Sequence, residues 1–246
     1  GANLWTHHAR REVRSGSNPL DGMVVQPGIV GAVDTPGQAT DVAVETYDLS
    51  AFGGASSVTR LLVADGPAGI AVMEMINGQP VLLGQVDTPG DARRVALPSS
   101  GSLLADEVGL GAYADGAAGF GVIDWTDPVR PRLRHQISSE GTTMGVTLHA
   151  GVVYAGTDRG HVYAVDVFSG DIIDDLDLGY AVHDLKVLQE TLFVTGMRGN
   201  QTLLQSIPLV ASGILGTPGT AVNSVEGSNF RRGVRLVVGD GLAYTV

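Results

Sequence analysis

The chain has 246 residues, a formal net charge of −11, 43% hydrophobic and 5% aromatic residues, 35 glycines and no cysteine. The missing cysteine excludes disulfides, thiolate chemistry and cysteine-ligated zinc, and the apolar content excludes a disordered chain. The acidic balance argues against a nucleic-acid partner, and no apolar run approaches the 18 or so residues of a membrane-spanning helix.

In chain order, residues 1–27 read as an irregular arm, with Asn3–Arg11 a poor strand candidate, and Gly28–Asp34 reads as a strand. Val33-Asp34-Thr35-Pro36-Gly37 then recurs verbatim as Val86-Asp87-Thr88-Pro89-Gly90. Asp65-Gly66-Pro67-Ala68-Gly69 aligns with Asp115-Gly116-Ala117-Ala118-Gly119, and the same slot is filled by Asp158-Arg159-Gly160 and by Met197-Arg198-Gly199. Repeats of about 40 to 50 residues with several short strands each are the signature of a β-propeller. No stretch carries a helical period, so the fold class is all-β, built of four-stranded antiparallel blades.

Blades are expected near 39–86, 91–138, 142–178 and 181–225. In the third, strands a to d fall near Met144–Leu148, Val152–Gly156, His161–Val167 and Ile172–Leu178, separated by Gly-containing turns. Residues 28–34 and 233–246 would supply one shared blade, making 28–246 a five-bladed ring; otherwise the chain is a fragment of a larger propeller. The chain opens on Gly1 and stops inside an apparent strand, so a longer parent protein is expected.

Ala112-Tyr113-Ala114-Asp115-Gly116-Ala117-Ala118-Gly119-Phe120-Gly121-Val122-Ile123-Asp124-Trp125-Thr126-Asp127-Pro128 resembles the LVIVD-type propeller repeat. Gly151–Asp166 is also similar to the PQQ-like quinoprotein repeat, but Asp174-Asp175-Leu176 stands where that repeat carries its docking tryptophan. The resemblance implies a bacterial extracytoplasmic module, periplasmic, surface-bound or secreted, and it carries no catalytic residues.

Sites are a separate question from fold. Gly109-Leu110-Gly111-Ala112-Tyr113-Ala114 fits a dinucleotide fingerprint by letter, but no helix follows it. The connections between strands d and a, and the turns between b and c, should share one channel face. That face would collect Arg93, Arg94, Glu140, His183, Asp184, Arg231 and Arg232 with Asp65, Asp115, Asp158, Arg159 and Arg198. Of these, Arg93, Arg94, His183, Asp184, Arg231 and Arg232 are the candidate site for a small anionic ligand. The competing reading is that the aspartates cap turns. Asp171, Asp174, Asp175 and Asp177 raise calcium, yet in a strand they point to both faces, and no cofactor is predicted. His7-His8 is a weak metal signal on the arm.

Insertions between strands a and b, Thr46–Arg60 in blade one and Pro98–Val108 in blade two, should project together from the opposite face. Their Leu49, Phe52, Leu103 and Leu104 are candidate contacts for a protein partner or a neighbouring domain. The expected function is therefore a non-catalytic interaction module. The alternatives are a hydrolase or lyase with His183 as base, or a quinone-dependent oxidoreductase fragment.

Overall fold

Alternating apolar residues and Gly-bearing turns leave the chain little choice but strands, and strands are the regular elements of the computed structural model. It describes residues 3–13, 23–48, 57–98, 108–210, 213–223, 236–239 and 242–245. A hairpin of β1 (Asn3–Val13) and β2 (Met23–Asp34) opens the chain, where the irregular arm was expected. Four four-stranded antiparallel sheets follow in sequence order. The first contains β3 (Asp41–Asp48), β4 (Ser57–Ala64), β5 (Ile70–Ile76) and β6 (Gln79–Val86). The second contains β7 (Arg94–Ala96), β8 (Leu110–Ala114), β9 (Phe120–Asp124) and β10 (Arg132–Ile137). The third contains β11 (Thr143–His149), β12 (Val152–Thr157), β13 (His161–Asp166) and β14 (Ile172–Asp177). The fourth contains β15 (Ala181–Leu188), β16 (Thr191–Arg198), β17 (Gln201–Pro208) and β18 (Val222–Asn223). A second hairpin, β19 (Leu236–Gly239) with β20 (Leu242–Thr245), ends the chain beside β15.

The period of two along each strand explains the layering. In β4 and β5, Leu61, Val63, Ala71 and Met73 pack toward Val33 of β2. The alternate residues Leu62, Ala64, Ile70 and Val72 pack on Val95, Tyr113, Ile123 and Trp125 of blade two. Blade two's other face meets Val146, Leu148, Val153, Tyr163 and Val165 of blade three. Blade three's Tyr154, Val162 and Ala164 meet Val182, Leu185 and Leu192 of blade four. Blades two and three are thus buried on both faces by their neighbours, so the core is a series of inter-blade layers. The outer strand β14 is the wet edge, with Ile172, Asp174 and their neighbours partly or fully exposed.

One inner strand departs from this pattern. Val42 and Val44 of β3 are paired with Val63 and Leu61, so they share the face turned toward β2. They are 39% and 58% exposed, whereas Val146 and Leu148, on the corresponding face of β11, are 2% and 0% exposed. The opening hairpin has two strands where each blade has four, and among the described residues it forms a sheet separate from β19–β20.

Candidate functional site: the channel face

The verbatim repeat has a structural task that its letters do not disclose. Thr88-Pro89-Gly90, in the connection entering blade two, docks onto the turn Asp115-Gly116-Ala117-Ala118-Gly119 between β8 and β9. The Thr88 hydroxyl donates to Asp115 Oδ1 at 2.7 Å, and the Gly90 N–H donates to Oδ2 at 2.9 Å. In blade one the Gly37 N–H donates to Asp65 Oδ2 at 2.8 Å. In blade three the Thr142 N–H donates to Asp158 Oδ1 at 2.8 Å. The approach is close enough to demand glycine: a Cβ on Gly90 would lie 2.3 Å from the Asp115 carbonyl oxygen and 2.7 Å from Ala118 Cβ. The same turns also reach the following blade, through Gly66 N–H to Ala92 O at 3.1 Å and Thr143 N–H to Gly116 O at 2.9 Å. Burial raises the Asp115 pKa, while its bonds from Thr88 and Gly90 pull the other way. These aspartates are latches that hold strand entry, turn and neighbouring blade together.

Of the candidate site residues, Arg94 lies near enough to His183 for its charge to act on the ring. His183 is partly buried, and its pKa is lowered first by burial and then by the Arg94 charge, with Asp158 opposing. Arg94 also donates from Nη1 to the Arg93 carbonyl at 3.1 Å. Arg93 turns aside to pair with Asp91 at 3.1 Å. His183 and Asp184 lie inside β15, not in the connection before it, because the ladder shifts register between Val182 and Asp184. That bulge makes Val182 and Leu185 face the same core despite their odd spacing, which hides the strand from a search for alternation. Asp184 is buried, accepting from Leu185 N–H and from Leu236 N–H, each at 2.9 Å. Its carboxylate therefore joins β15 to β19, much as Asp41 accepts from Val95 N–H at 3.2 Å to join β3 to β7. Arg231 and Arg232 lie outside the described residues, as do Leu49, Phe52, Leu103 and Leu104. The arms of the first insertion are continuous with β3 and β4, Thr46 pairing Thr59 and Asp48 pairing Ser57.

Sequence reading missed a second group at the rim of blade three. His161 Nδ1 lies 2.8 Å from Asp175 Oδ1, and its Nε2 lies 3.6 Å from Glu140 Oε2. Its ring stacks on Tyr163, whose hydroxyl accepts the Glu140 N–H at 3.0 Å. Asp175 is therefore a histidine partner, while Asp174 accepts from Leu215 N–H and Asp177 from Gly179 N–H. Among the described residues no group of three or more His, Asp or Glu is placed to hold a metal ion.

The two histidines should titrate in opposite directions. The Asp175 hydrogen bond raises the His161 pKa, so its stabilising contribution is full below about pH 6.5 and is lost as pH climbs through the raised value. His183 is lowered, so its site is fully stable above about pH 6.5 and loses stability as pH falls toward the depressed value. Histidine-ring NMR titrations check this. His161 should titrate above, and His183 below, the ordinary range, and Arg94→Ala should move His183 part of the way back. Coincident midpoints for the two rings would refute the assignment.

No protein-family model matches the chain, and no curated protein does. Solved structures do. The chain is similar to Saccharomyces cerevisiae Sqt1, with a TM-score of 0.62 at 11% identity, over 88% of this chain and 55% of that one. It is also similar to the computationally designed Ika4 protein, with a TM-score of 0.52 at 12% identity, over 72% of this chain and 96% of that one. A match to the β-propeller domain of Myceliophteria thermophila Cps50 (Swd1) has a TM-score of 0.49 at 15% identity and covers 62% of this chain and 49% of that one. The chain thus spans about half the length of Swd1 and Sqt1. Among the described residues no helix is long and apolar enough to cross a membrane. The likeness to Sqt1 and Ika4 and the four-stranded antiparallel sheets together establish the fold: the chain is a β-propeller.

Proposed function

We propose that the chain is a non-catalytic interaction module, of the LVIVD type, in a larger bacterial envelope or secreted protein. One observation carries this reading. The aspartates that recur at the channel face are engaged by backbone N–H groups and act as parts of a scaffold. Binding then falls to what differs between blades, above all the a–b insertions bearing Leu49, Phe52, Leu103 and Leu104. The reading is tested by measuring association of Phe52→Ala and Leu104→Ala variants with the neighbouring domain of the parent chain, or with themselves.

The same reading includes a five-bladed ring. The exposed Val42 and Val44 occupy the face that blade three buries at Val146 and Leu148, and a two-stranded a–b unit is what would cover them. The β19–β20 hairpin has that size and stands next in order after blade four.

A second reading, an anionic substrate or ligand at the channel, is favoured by the Arg94 and His183 pair, in which the arginine helps keep the imidazole neutral. Arg94→Ala and Arg232→Ala should then weaken anion binding by about tenfold, with the loss shrinking as salt rises. Unchanged ligand-induced melting shifts in both variants would remove the arginines from any site.

A further inference from the structure

On the face opposite the channel latches, blades three and four enclose a cleft of about 400 Å³. Its size falls within the range of ligand sites. Its rim is made by two tight a–b turns, Ala150-Gly151 and Gln189-Glu190, and its apolar wall by Phe168, Leu209 and Val210. We propose that this cleft receives an arginine side chain, flanked by an apolar residue, from a protein partner; the proposal rests on the reading of the chain as an interaction module.

The wall is preformed. The described residues that follow β17 are held by two bonds to blade three and by one to the β15–β16 turn of blade four. Tyr154 donates to the Gly213 carbonyl at 2.9 Å, Leu209 N–H donates to the Glu190 carbonyl at 2.8 Å, and Leu215 N–H donates to Asp174 Oδ2 at 2.9 Å. A partner entering the cleft therefore has little protein to order, which lowers the cost of binding.

The acid at the mouth is Glu190. Its side chain is 71% exposed, with Oε1 on His149 Nε2 at 3.0 Å. The other nearby acid, Asp166, is already engaged by the Phe168 and Ser169 N–H groups. Gln189 and Glu190 hold left-handed backbone at φ 48° and 55°. That conformation is uncommon for residues other than glycine. The turn so formed sets a carboxylate above an apolar wall, with Val210 50% exposed. A guanidinium suits this pairing better than an ammonium, because its plane meets a carboxylate edge while its face and stem lie on an aromatic and aliphatic surface. A net charge of −11 steers such a cationic segment toward the protein.

The test uses the full chain and three blocked peptides, acetyl-Leu-Arg-Leu-amide and its citrulline and glutamate counterparts, titrated while the amide signals of Gly151, Val210 and Gly213 are followed by NMR. The arginine peptide should shift these signals saturably and bind about fivefold more tightly than the citrulline peptide. Glu190→Gln should erase that difference, and Val210→Ser should weaken both peptides alike, each variant keeping the native melt. Equal binding of the arginine and glutamate peptides would overturn the proposal. So would shifts confined to other surfaces, or an unaltered preference in Glu190→Gln. If Glu190→Gln does not fold, loss of the arginine preference at high salt supports the proposal, and its persistence overturns it. Acetyl-arginine-amide binding as well as the tripeptide would also overturn it, in favour of a free small cation. Association that Leu104→Ala weakens, with no peptide binding, would sink the cleft and leave the module reading standing. Peptide binding with association untouched in Leu104→Ala and Phe52→Ala would count against the proposed insertion surface alone.

Discussion

Alanine at Gly90 is expected to destabilise the protein by about 3 kcal/mol or more, from a single added methyl. The new Cβ would sit 2.3 Å from the Asp115 carbonyl oxygen and 2.7 Å from Ala118 Cβ, neither of which is the flexible end of a long side chain. To relieve the clash, the strand-entry turn must lift off the β8–β9 turn, breaking the 2.9 Å bond to Asp115 and straining the 2.7 Å bond from Thr88. Because the β8–β9 turn also holds Thr143 of blade three, the damage should spread across one blade boundary. Gly37→Ala should behave alike, with its Cβ 2.1 Å from the Asp65 carbonyl oxygen. Urea unfolding checks both. A Gly90→Ala midpoint within error of the native value would show that the repeated motif is not a latch.

Asp184→Ala should cost about 2–4 kcal/mol, because it removes a buried carboxylate that accepts from two backbone N–H groups. The Leu236 N–H loses its partner in a buried place, so amide exchange in β19 should accelerate more than elsewhere. Asp184→Asn keeps one acceptor oxygen and should lose less. A ligand role for Asp184 predicts the opposite pattern, with a native melt and weakened binding. A native melt for Asp184→Ala would therefore discard the structural assignment.

Much of the architecture was legible because propeller blades are buried on both faces. Strands such as β12 and β13 are apolar at almost every position, and turns at Gly151, Gly160 and Gly170 punctuate them. The expected strand boundaries in blade three fall within a residue or two of β11 to β14. β1 was not legible, since His7, His8, Arg10, Arg11 and Glu12 leave no apolar alternation to read. The bulge at His183 switches the parity of β15 in mid-strand, so a connection was expected where a strand runs.

At the candidate site, the repeat period placed Arg94, His183 and Asp158 on one expected face, and the charges of Arg94 and Asp158 do act on His183. It could not tell that Asp184 bonds Leu236, 52 residues away, or that Asp174 bonds Leu215, 41 residues away. The cleft was missed for the same reason. Its one local signal is the length of the connection from Leu209 to Ala221, against the short turn at Ser169-Gly170 in blade three.

Thermal melts run beside sedimentation velocity, on Phe52→Ala and Leu104→Ala, test the interaction-module reading most directly. Both residues belong to the insertions that leave neighbouring blades at the same a–b position, outside the described residues. Side by side they would form one apolar contact patch with an aromatic anchor, where binding energy concentrates. The account predicts weakened association with the neighbouring domain, or with a second copy, and a stability change below about 1 kcal/mol. Side chains that instead plug the base of their own blades would cost about 2–5 kcal/mol on truncation. A melt lowered to that extent with unchanged sedimentation would contradict the account.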